Sequence, residues 1–125
     1  MFTRNKFRQL KRLKFELDPI LGTGYYRYMR ILSRSTLRNF WETHPDAEEA
    51  LKTWYSEASH ANWQNPLDIK TSRRNVSIIA NNRVVFNIKG NTYRLIVAIR
   101  YDIGIIFIRF VGTHSEYDKV NAETV

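Results

Sequence analysis

The sequence predicts an α+β domain, an antiparallel sheet with two helices packed on one face and a short helix at its C-terminal end. Three observations carry the prediction. Residues 83–119, RVVFNIKGNTYRLIVAIRYDIGIIFIRFVGTHSEYDK, hold three alternating apolar runs separated by short turn signals, the pattern of a three-stranded meander with one buried face. Two stretches upstream, beginning near Ser33 and at Asp46, carry apolar residues at helical spacing. Charge is also segregated: residues 42–57 contain five acids and one base, whereas residues 70–109 contain eight bases and one acid.

Residues 1–28 hold seven Lys or Arg against two acids. A short helical possibility at residues 5–17, with Phe7, Leu10, Lys14 and Leu17 at mixed spacing, is broken by Asp18-Pro19 and by Gly22 and Gly24. We read this stretch as an N-terminal extension, flexible or arising from an upstream start ahead of Met29, and residues 29–125 as the folded domain. A basic nucleic-acid arm is the other reading of the same residues.

Arg30, Ile31 and Leu32 form a brief strand candidate that can flank the meander. Helix one follows, capped by Ser33 or Ser35, with Leu37, Phe40, Trp41 and His44 on one face and Pro45 ending it. Helix two opens at Asp46, with Glu49 three residues on as a capping box, and its apolar face is Ala47, Leu51, Trp54, Tyr55 and Ala58. Residues 62–75 read as a connection with a helical turn at 66–69.

In the first run Val84, Phe86 and Ile88 share a face, opposite Arg83 and Asn87, with Lys89 just beyond. Gly90-Asn91 is a two-residue hinge that pairs Ile88 with Tyr93, Phe86 with Leu95 and Val84 with Val97, and sets Asn87 opposite Arg94. The second run then places Tyr93, Leu95, Val97, Ile99 and Tyr101 on the apolar face and leaves Arg94 and Arg100 on the other side. In the third, Ile106, Ile108 and Phe110 are expected to be buried, with Phe107 and Arg109 turned outward beside the other arginines. After Gly112 a turn and a short helix beginning near Ser115 or Glu116 direct His114 and Tyr117 together toward one end of the basic face.

Composition limits the function classes. The chain has 125 residues and a formal charge of +8, without cysteine, which removes disulfide scaffolds, cysteine-ligated metals and thiol nucleophiles. No apolar run reaches the ~18 residues of a membrane span, and a cytoplasmic location is the expectation. Basic residues placed on strands point to an anionic partner, polynucleotide ahead of membrane.

The segments NNRVVFNIKGNTYRLIVAI and IIFIRFVGTHSEYDKVNAETV, with MRILSRSTLRNFWETHPDAEEALKTWYSEASHANWQNP upstream, resemble the HigB toxins, the RelE-like half of type II toxin–antitoxin pairs. The likeness spans about residues 29–125. It implies a RelE-like fold and a ribosome-dependent endonuclease that cuts mRNA, neutralised by a HigA-like helix-turn-helix antitoxin.

Metal-independent RNA cleavage needs a 2′-hydroxyl nucleophile, a group to take its proton, another to protonate the leaving oxygen, and a cation at the phosphate. Arg94 is the candidate phosphate grip, because guanidinium meets phosphate oxygens as a two-pronged donor; a structural pairing with a carboxylate or a helix end is its plain alternative. His114 is the candidate acid–base group, against a turn histidine bonded to backbone. Tyr117 is the third candidate, to stack on a base or move a proton, against a packed helix tyrosine. Arg83, Asn87, Lys89, Arg100, Arg109 and Lys119 are candidate RNA contacts, or solvated side chains. His44 and His60 read as structural. Three scattered histidines and no carboxylate pair at ligand spacing disfavour a metal site, and no cofactor is expected. A non-cleaving RNA-binding or antitoxin-binding module is the alternative function.

Overall fold

The meander expected from residues 83–119 is the centre of a five-stranded sheet in the computed structural model, which describes residues 28–125. The extension at residues 1–28, apart from Tyr28, and its helical possibility at 5–17 lie outside the described residues. The strands are β1 (Arg30–Leu32), β2 (Val76–Ile79), β3 (Arg83–Ile88), β4 (Tyr93–Arg100) and β5 (Ile105–Thr113). Across the sheet their order is β1-β5-β4-β3-β2, antiparallel except for β1, which runs parallel to β5. Strand β2 is not among the alternating runs, although Val76, Ile78 and Ile79 are ordinary strand residues.

The β3–β4 register is the expected one: Ile88 faces Tyr93, Phe86 faces Leu95, Val84 faces Val97 and Asn87 faces Arg94. A one-residue slip would turn the apolar set toward solvent, so the pattern specifies the pairing. The turn differs in detail. Its left-handed residues are Lys89 and Gly90 (φ 55° and 64°), one position earlier than the Gly90-Asn91 hinge, and the Thr92 amide donates to the Lys89 carbonyl at 3.1 Å.

The third strand departs from its expected pattern. Ile96 pairs with Phe110 but Val97 with Ile108, so Arg109 is the extra residue of a β-bulge. Beyond the bulge the alternation inverts. Ile106 and Ile108 are buried beneath the helices as expected, whereas Phe110 moves to the opposite face beside Ile96 and Val111 takes its place against the core.

Helices α1 (Arg34–Thr43), α2 (Glu48–Ser59) and α3 (Pro66–Ser72) accompany the sheet, with a 3-10 turn at Pro45–Ala47 between the first two. Leu37, Leu51, Trp54, Ala58 and Ile69 meet Val84, Phe86, Ile88, Leu95, Val97 and Ile99 in one cluster. At its centre the Trp54 and Phe86 rings meet edge to face at 5.5 Å. The capping box expected at Asp46 does not form, and helix α2 starts at Glu48 with no side-chain cap. Instead the Asp46 carboxylate accepts from the Tyr93 hydroxyl at 2.7 Å and from Lys89 Nζ at 3.0 Å.

Helix α4 (His114–Tyr117) does carry a capping box, between Thr113 and Glu116. From it the C-terminal stretch turns back over the face away from the helices. Asn81 Nδ2 donates to the Glu123 carbonyl at 3.0 Å, and Arg83 Nη2 and Arg109 Nε donate to the Val125 main-chain oxygen at 2.8 and 3.1 Å. Under this stretch lie Val85 and Ile96, 3% and 0% exposed. The outer face of the sheet is therefore basic at its ends and apolar in the middle.

Candidate functional site

Alternation along β4 puts Arg94, Ile96, Ala98 and Arg100 on the outer face, and the register extends this into rows across the sheet. Asn87, Arg94 and Gly112 form the row next to the β3–β4 turn. Arg83 and Ala98 belong to a row four residues further along β4, about 13 Å away, and Arg100 lies six residues along, about 20 Å away, at 3.3 Å per residue. The arginines share a face but not a site.

At the Arg94 end three elements meet: β4, the turn formed by residues 89–92, and α4. Gly112 makes the meeting possible, because a Cβ there would stand 2.6 Å from the Phe110 ring and 2.7 Å from the Glu116 carboxylate. Glu116 in turn accepts from the Thr113 amide at 2.9 Å while Thr113 Oγ1 accepts from the Glu116 amide. The cap orients α4 so that His114 and Tyr117, three residues apart, reach back over the turn and β4.

Arg94 Nη1 donates to Asn91 Oδ1 at 2.6 Å, and its guanidinium carbon lies 5.6 Å from the centre of the Tyr117 ring, within cation–π range. His114 Nε2 is hydrogen-bonded to the main-chain oxygen of Asn91. Arg94, His114 and Tyr117 are all half-buried, each open to solvent on one side. Among the described residues Arg94 makes no ion pair, so the carboxylate pairing of its plain alternative is not what holds it. Asn91 went unnoticed in the sequence, where it read only as a turn residue; its signal is a polar side chain on a turn between a basic strand and a histidine-bearing helix.

The other candidate contacts are dispersed. Asn87 is beside Arg94 in the same row, and Lys119 is exposed just past α4. Lys89 is paired with Asp46 on the helix side of the turn. Arg100 forks onto Asp102 through Nε and Nη2, at 3.1 and 2.9 Å. Arg83 and Arg109 hold Val125, and Arg83 also donates to the Asn81 carbonyl at 2.9 Å. His44 is structural as expected: it stacks on Phe40 at 4.1 Å and meets the Tyr93 ring edge-on. His60 Nδ1 is bonded to the Ser56 carbonyl at 2.8 Å.

Two shifted ionisations belong to the tether behind the turn. The Tyr93 hydroxyl, and then Lys89, hold the Asp46 carboxyl below the usual carboxylate range. The same hydrogen bond, together with burial, raises Tyr93 above the usual phenol range. No three His, Cys, Asp or Glu side chains among the described residues are placed to hold a metal ion. None of the described helices is long and apolar enough to cross a membrane. A cleft of about 670 Å³ lined by Asn62, Trp63, Gln64, Tyr101 and Asp102 lies at the far end of β4 and takes in none of the candidate residues.

A family model described as HigB toxin, RelE-like toxic component of a toxin–antitoxin system, matches residues 47–120. No curated protein matches the chain.

Proposed function

The chain belongs to the HigB toxin family, the RelE-like toxic component of a toxin–antitoxin system, and from that premise we propose that it is a ribosome-dependent mRNA endonuclease working without a metal. The observation that carries the reading is the meeting of a cation paired with no carboxylate among the described residues, an imidazole and a phenol at one open end of the sheet. In the proposed reaction the 2′-oxygen of one nucleotide attacks the adjacent phosphorus. The O2′–P bond forms, the P–O5′ bond breaks, and a 2′,3′-cyclic phosphate and a 5′-hydroxyl result. His114 takes the proton from the 2′-hydroxyl and Tyr117 supplies one to the leaving 5′-oxygen. Arg94 spans the non-bridging oxygens, where negative charge accumulates in the transition state.

Asn87 and Lys119 flank this end and are the nearest contacts for the RNA strand. Arg83, Lys89, Arg100 and Arg109 would reach RNA or ribosome only by exchanging the partners they hold within the chain. The proposed partners are translated mRNA on the ribosome, in the cytoplasm, and a helix-turn-helix antitoxin of the HigA kind.

Primer extension on translated mRNA tests the reading. The protein is expected to give discrete cuts, and Arg94→Ala to lower their rate by roughly 10²–10³, as loss of a transition-state donor does. Absence of cuts with the unaltered protein would support the non-cleaving module instead. Equal cutting by Arg94→Ala would remove Arg94 from the reaction.

A further inference from the structure

We propose that Asn91 is the positioning residue of this site and that it makes Nδ1 of His114 the atom that exchanges the proton; the inference rests on the cleavage reading above. A carbonyl oxygen has no hydrogen to give, so the ring nitrogen bonded to the Asn91 main-chain oxygen must carry one. In the neutral imidazole that nitrogen is Nε2, which leaves the lone pair on Nδ1. Among the described residues Nδ1 of His114 has no hydrogen-bond partner, and it is free to accept a proton. When it does, the Nε2–H bond to the carbonyl becomes charge-assisted and strengthens. The backbone of the turn thus does for this histidine what an orienting acid does in other sites, selecting the tautomer and steadying the charged ring.

The side chain of the same residue acts on Arg94. Guanidinium has donors only, so the amide must turn Oδ1 toward Nη1, and the 2.6 Å contact holds the fork on the side of β4 nearest α4. Both groups are thereby fixed to one residue of a four-residue turn. That turn is anchored from behind by Asp46, through Lys89 and Tyr93.

Two measurements on the full chain test this. In a long-range 1H–15N spectrum with labelled histidine, the His114 signals, identified by their loss in His114→Gln, are expected to show the Nε2–H tautomer. An Nδ1–H pattern, or a fast average of the two, overturns the assignment whether or not the protein cuts RNA. In cleavage of translated mRNA, Asn91→Ala is expected to lower kcat roughly ten- to hundredfold with KM unmoved, as a small misplacement of a catalytic group does. The His114 tautomer should persist in that variant because its acceptor is main chain, which also reports that the turn has kept its shape. Asn91→Gln, which keeps a neutral carbonyl acceptor for Arg94 on an exposed turn, should restore much of the rate. Equal kcat in Asn91→Ala and the unaltered protein, or failure of Asn91→Gln to recover any of it while the tautomer signature is kept, overturns the positioning role. Absence of cuts by the unaltered protein would instead count against the cleavage reading, leaving the tautomer as the independent test.

Discussion

Gly112 shows how much can depend on a missing side chain. It sits opposite Arg94 in the register, and its Cα is enclosed by the Phe110 ring and the Glu116 carboxylate. Gly112→Ala is expected to push Glu116 off the Thr113 amide and so loosen the cap that orients His114 and Tyr117. Overpacking of this kind costs about 1–3 kcal/mol, and thermal unfolding should register it; an unchanged midpoint would mean that Phe110 and Glu116 can both retreat freely. The same scale explains why four arginines on one face do not act together. Arg100 is neutralised by Asp102 two residues away, Arg83 and Arg109 hold a main-chain oxygen, and among the described residues Arg94 meets a neutral amide and an aromatic face.

Among the elements, the β3–β4 turn is the one through which the helical layer supports the site. Asp46, at the junction of α1 and α2, grips Tyr93 and Lys89 on either side of it. The sign of its pH dependence follows from the two shifts. A lowered Asp46 pKa means that its contribution is present above the usual carboxylate value of ~4 and is lost as pH falls through the lowered one. A raised Tyr93 pKa means a contribution complete below the usual ~10 and lost as pH rises through the raised value. The stability difference between the unaltered protein and Asp46→Ala should therefore be flat from about pH 5 to 9 and shrink at both extremes. Urea unfolding across that range checks it; a difference that grows on acidification would refute the tether.

For the whole molecule, the last residues serve as a cover for the side of the sheet that the helices do not reach. Val85 and Ile96 are sealed there, and the stretch from α4 to Val125 is fastened at Asn81, Arg83 and Arg109. Removing residues 121–125 is expected to destabilise the fold by about 3 kcal/mol or more, since each aliphatic side chain returned to water loses roughly 1.5–3 kcal/mol. Denaturant titration measures this, and an unchanged midpoint would show that the stretch covers nothing.

The faces of β3 and β4, their register and the two main helices were legible in the sequence, because alternation and helical spacing are local and a buried face tolerates no slip. The candidate trio was legible only as residue types. The adjacent apolar pair Phe110-Val111 was a sign of the bulge, and Val85 and Ile96 on the supposedly basic face were a sign of the C-terminal cover, but each becomes readable only when the neighbouring strand is known. Asp46 looked like a cap because its local spacing to Glu49 allows one; a phenol and an ammonium some forty residues away compete for the same carboxylate and win. By itself the sequence determined which side chains share a face along β3 and β4, since that depends on the period of an unbroken backbone. The tertiary structure decided which cation stands beside the histidine and the tyrosine, because the returning C-terminal stretch occupies Arg83 and Arg109 and a single turn residue, Asn91, holds Arg94 and His114 together.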